Sequence, residues 1–141
     1  MAVFAALAVP VPAQKSGCVL VTQQEAAALL GKAVETQSFA TTCIYKVKGS
    51  TISLVAKTHK NTPTSVNIAK TNFSKTGGVV KDEPGVGPGA FSAVRADSVR
   101  IYAFKGDREF LIDYVDTAKG KFPPGLMDKL KAAATTALGR M

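Results

Sequence analysis

The chain has 141 residues, 12 Gly, 7 Pro, two Cys, one His, no Trp and a formal net charge of +8. That length suits one domain able to bury its own core, and 46% hydrophobic residues exclude a wholly disordered chain. Two Cys and one His exclude the usual Cys/His zinc sites, so no metal ligand set and no cofactor is expected.

Residues 1–13 read as a cleaved leader before a single domain over 14–141. Ala2 to Val11 are small or apolar, and Val11-Pro12-Ala13 fits a small-residue cleavage site. The run is far shorter than the ~20 residues a membrane-spanning helix needs. The n-region lacks Lys and Arg; a truncated start would account for that. The alternative is an N-terminal strand or buried helical turn, which Pro10 and Pro12 disfavour. Lipidation of Cys18 is a further alternative, but Lys15 stands where a lipid-attachment signal requires an apolar residue. The expected location is periplasmic or secreted. In such a compartment Cys18 and Cys43 pair; two buried thiols are the alternative. A loop of that length is worth about 3 to 4 kcal/mol.

Thr22-Gln23-Gln24-Glu25 is a capping box, followed by Ala26, Leu29 and Leu30 and stopped by Gly31. Cys43 to Lys48 and Thr51 to Lys57 read as a hairpin around Gly49-Ser50. The two-residue turn sets the register: Tyr45 faces Leu54 and Cys43 faces Ala56 on the core side. Pro63 to Thr76 reads as a helix, with Thr62 as its cap and Gly77-Gly78 as its end. Pro84 to Gly89 is an irregular Gly/Pro segment leading into a strand from Ala90 to Arg95. Val99 to Lys105 and Arg108 to Asp116 form a second hairpin around Gly106-Asp107. Its register sets Ile101 against Ile112 and Arg100 against Asp113. Pro123-Pro124 open a last helix that runs to about Leu138. The expected fold is α+β: an antiparallel sheet of about five strands, built from two hairpins, with helices on one face.

Three blocks occur in this order: Cys18-Val19-Leu20-Val21-Thr22 with Glu25 and Leu30-Gly31; Cys43-Ile44-Tyr45; and Gly85-Val86-Gly87-Pro88-Gly89-Ala90-Phe91. Together they resemble small exported bacterial proteins, often lipoproteins, of uncharacterised function, over nearly all of residues 14–141. The resemblance implies an α+β sandwich and a disulfide between the two Cys positions. It implies no reaction and no ligand.

No catalytic motif stands out. His59, the only imidazole, reads as an exposed loop residue after a strand, and Asp113, Asp116, Asp107 and Glu109 read as solvent-facing strand charges. A hydrolase built on His59 is the least supported reading. The Gly85–Gly89 loop (Gly85, Val86, Gly87, Pro88, Gly89) reads as a turn that aims the next strand. A recognition loop inserted into a hydrolase, as in an inhibitor, is its functional alternative. The charge is uneven: residues 36–81 hold Lys46, Lys48, Lys57, Lys60, Lys70, Lys75 and Lys81 and no acid. That block reads as a surface for an anionic lipid or polymer of the cell envelope, or for an envelope protein. Nucleic acid is disfavoured, because the block lacks Arg and interleaved aromatics.

Overall fold

The computed structural model describes residues 15–60 and 63–141, without the side chains of residues 63–65. The expected leader and Thr62 lie outside the described residues. The elements in order are α1 (Gly17–Leu20), α2 (Gln23–Leu30), β1 (Val34–Phe39), β2 (Thr42–Val47), β3 (Ile52–Lys60), α3 (Pro63–Lys75), β4 (Val79–Asp82), β5 (Phe91–Val94), β6 (Ser98–Lys105), β7 (Arg108–Asp116) and α4 (Leu126–Arg140). The strands form one antiparallel sheet in the order β1-β2-β3-β7-β6-β5-β4.

Both hairpins take the register their turns dictate. Tyr45 pairs with Leu54 and Cys43 with Ala56; Ile101 pairs with Ile112 and Arg100 with Asp113. Gly49 and Gly106 adopt positive φ at the two turns, which removes the steric cost a side chain would carry there. The Thr22 hydroxyl accepts from the Glu25 amide, and the Glu25 carboxylate accepts from the Thr22 amide, completing the capping box at α2.

The sheet has seven strands rather than about five. The two additional strands, β1 and β4, are its edges. Five of the six β1 residues are exposed, so the segment has no apolar period to read. Solvent on an edge strand's outer side makes a polar sequence tolerable there. The helices also do not share one face. On the first face α1, α2 and α4 bury Leu20, Ala26, Leu130 and Ala134 against Tyr45, Leu54, Ile101 and Ile112. On the second face α3 sets Phe73 against Phe91, Ala93, Tyr102 and Leu111. Those strands are apolar at both parities, so a single helical layer would leave the second parity in water.

The last helix starts at Leu126, after a turn in which the Leu126 amide donates to the Pro123 carbonyl, and it runs through Gly139. Arg140 holds this end down: its guanidinium donates to the Leu20 carbonyl and to the Glu25 carboxylate. Cys18 and Cys43 form a disulfide that ties α1 to β2, which leaves Cys18 no free thiol for a lipid. Beside it the buried Tyr45 hydroxyl donates to the Val21 carbonyl. Burial, with Glu25 nearby, pushes that hydroxyl's pKa up to about 12. No helix among the described residues is long and apolar enough to cross a membrane.

Candidate functional site

Among the described residues, the second face of the sheet is covered over only part of its width. The apolar cluster beneath α3 takes in β5, β6 and Leu111 of β7. Beyond it, Ile44 and Val55 face each other across β2 and β3, are half-buried, and belong to neither core cluster. Phe39, at the end of β1, is 79% exposed. This open half spans β1, β2 and β3.

Strand parity decides which lysines the open half presents. Lys46 pairs with Ser53 and with Glu35, and Lys57 pairs with Thr42 and with Leu111, so both stand on the second face. Lys46 is exposed and Lys57 half-buried. Lys48 follows β2 and joins Lys46 at the hairpin turn, where a cleft of about 400 Å³ is lined by Glu35, Lys46, Lys48, Ser50, Ser53 and Thr117 among others. Lys60 closes the far end of β3, opposite Arg108. The remaining lysines lie elsewhere. Lys70 and Lys75 are on α3, and Lys70 is engaged by Asp82 at 3.2 Å and stands over the Phe91 ring. Lys81 is on β4, at the opposite edge of the sheet. The seven residues therefore form two groups, one on each half of the sheet.

Between the open half and α3 runs a line of ionisable groups. Arg100 Nη2 donates to Asp113 Oδ2 at 2.8 Å, and Nη1 donates to the Tyr102 hydroxyl at 2.9 Å. The guanidinium also lies over the Phe73 ring. Burial pushes the Asp113 carboxyl above its usual range although Arg100 opposes it. Asp113 Oδ1 and Arg100 Nε have no hydrogen-bond partner among the described residues. Next along β7, Glu109 Oε2 lies 2.6 Å from His59 Nε2. Burial raises the Glu109 carboxyl, with His59 pulling the other way.

These contacts correct the expected placement. His59 is not a loop residue: β3 continues to Lys60 because β7 offers a nine-residue partner, and the register sets His59 against Glu109. Glu109, Asp113 and Asp116 are not solvent-facing: they are 6%, 5% and 7% exposed. The β3–β7 pairing joins residues far apart in sequence, from Lys60 with Arg108 to Ile52 with Asp116, so neither hairpin turn could report it. The one available signal was that His59 keeps step with Val55 and Lys57. Among the described residues no cluster of three or more His, Cys, Asp or Glu side chains could hold a metal ion.

The Gly85–Gly89 loop joins β4 to β5. Val86 is buried in the first core, and the Ala90 amide donates to the Gly87 carbonyl. Glu83, at the base of the loop, accepts from Ser92 at 3.0 Å and pairs with Lys131 of α4 at 2.7 Å. Gly85, Pro88 and Gly89 remain exposed.

Comparison with protein-family models, with curated proteins and with solved structures finds no match for this chain.

Proposed function

We propose that this chain is a non-enzymatic binding module of an exported protein, and that it takes an anionic component of the cell envelope on the open half of its sheet. The observation that carries the reading is the set of lysines that strand parity and the turn gather there: Lys46, Lys48 and Lys57. The Cys18–Cys43 disulfide fits an oxidising compartment, as does the resemblance to exported proteins. An excess of positive charge speeds and strengthens encounter with an anionic surface, and salt weakens both.

The test is binding of the purified protein to anionic envelope polymers and lipids at low and high salt, with Lys46→Gln/Lys48→Gln/Lys57→Gln alongside. Each lysine near an anionic surface is worth about 1 kcal/mol. The triple variant should therefore bind about a hundredfold more weakly while melting near the parent. Absence of salt-sensitive binding to every anionic component overturns the reading.

A further inference from the structure

We propose that the cleft at the β2–β3 turn is a phosphodiester site, and that its occupant is the headgroup of an anionic phospholipid at a bilayer surface. This rests on the function proposed above and names the ligand class. The cleft is lined by Lys46 and Lys48, whose ammonium groups can donate to phosphate oxygens, and by Ser50 and Ser53, whose hydroxyls can do the same; the Thr117 hydroxyl, also at the lining, donates to the Thr51 carbonyl. Glu35 lines it too, opposite Lys46 in the register. Two lysines and one glutamate leave a single net positive charge, complementary to the single negative charge of a phosphodiester. Glu35 supplies an acceptor for the hydroxyl or ammonium group that such a headgroup carries.

What lies beside the cleft selects a lipid over a soluble phosphate or an acidic polymer. One step up the sheet from the Lys46–Ser53 pair is the Ile44–Val55 pair, on the same face, half-buried and outside both cores. Two residues further along the sheet, and across to β1, is Phe39. Same-face positions on a strand are about 7 Å apart. Within roughly 15 Å the surface thus passes from ammonium and hydroxyl donors, through two aliphatic side chains, to an exposed ring. An amphiphile has that order of chemistry. A free phosphate would use only the first part.

The experiment is co-sedimentation of the protein with vesicles of phosphatidylglycerol and phosphatidylcholine, against vesicles of phosphatidylcholine alone. Glycerophosphoglycerol and inorganic phosphate are the soluble arms. Lys46→Gln/Lys48→Gln tests the cleft, Phe39→Ala tests the apolar end, and Lys75→Gln/Lys81→Gln removes the same charge from the other half of the sheet. All five positions are exposed, so the variants should fold, and melting curves check this. The expected result is binding to the anionic vesicles only. It should weaken by about 25-fold in the cleft variant, at about fivefold per lysine. It should also weaken in Phe39→Ala and stay unchanged in the charge-matched control. Equal losses in the cleft variant and the control overturn the site. Binding of the soluble diester or of anionic polymers without vesicle binding overturns the lipid and leaves the broader function standing. Absence of binding to any anion removes both.

Discussion

Replacing Gly17 by alanine probes the closest approach in the fold. Gly17 opens α1 where it lies over the centre of the sheet, and its amide donates to the Thr41 carbonyl at 2.9 Å. A Cβ added there would stand 1.9 Å from the Ala56 carbonyl oxygen and 2.4 Å from its carbon. Ala56 cannot yield, because β3 is hydrogen-bonded on both sides, to β2 at Cys43 and to β7 at Ile112. The helix must lift instead, by about 1.5 Å to reach ordinary contact. Lifting α1 strains the packing around Leu20, which is fully buried, and pulls on the Cys18–Cys43 bond at the next residue. Overpacking of this kind costs about 1–3 kcal/mol, and partial exposure of a leucine adds to it. We expect Gly17→Ala to lose about 3 kcal/mol, or roughly 10 °C in Tm for a domain of this size. Gly85→Ala is the control: its Cβ would meet nothing within 4 Å, and the change should stay within about 0.5 kcal/mol. Thermal melts and guanidinium titrations of both variants read the difference. If Gly17→Ala melts within about 2 °C of the parent, α1 does not rest on Ala56 and the reasoning fails.

Two further outcomes follow from the charged groups. Arg100→Ala leaves the Asp113 carboxylate 92% buried without its cation, since that side chain is only 8% exposed. The loss should be about 3–5 kcal/mol. Adding Asp113→Ala should recover part of it in urea titrations, and a double variant as unstable as the sum of its singles would refute the coupling. Glu83 contributes to the acid limb: burial pushes its carboxyl up, but the hydrogen bonds from Lys131 and Ser92 outweigh that and hold it below the ordinary 4.5. A carboxyl lowered in the folded state adds stability above its unfolded pKa and loses it as the pH falls through the folded value. Glu83→Gln should therefore destabilise the protein at neutral pH and flatten the fall in Tm below about pH 4.5; parallel Tm–pH curves for variant and parent would count against the pair.

Much of the fold was legible wherever the determining interaction is local. The capping box at Thr22 and Glu25 spans three residues. The turns at Gly49 and Gly106 fix the registers of Tyr45 with Leu54 and of Arg100 with Asp113. A pair of cysteines has one way to bond within a chain. The edges β1 and β4 were not legible, because an edge strand need not be apolar and Glu35, Thr36, Gln37 and Ser38 carry no period. The position of α3 was not legible either: its apolar residues show that it packs, not on which face.

The candidate site divides along the same line. Composition alone marked residues 36–81 as a lysine block without acids, and nothing nearer the chemistry could be read from it. Tertiary structure divided that block, sending Lys70, Lys75 and Lys81 to one half of the sheet and leaving Lys46, Lys48 and Lys57 on the other. It also turned His59 toward Glu109 and buried Asp113 against Arg100. The physical reason is the pairing of β3 with β7. Local turns and caps depend on a few bonded neighbours and are written in the sequence. The β3–β7 ladder forms only when the two hairpins meet, driven by the apolar area both must bury, and that meeting decides which charges share a face.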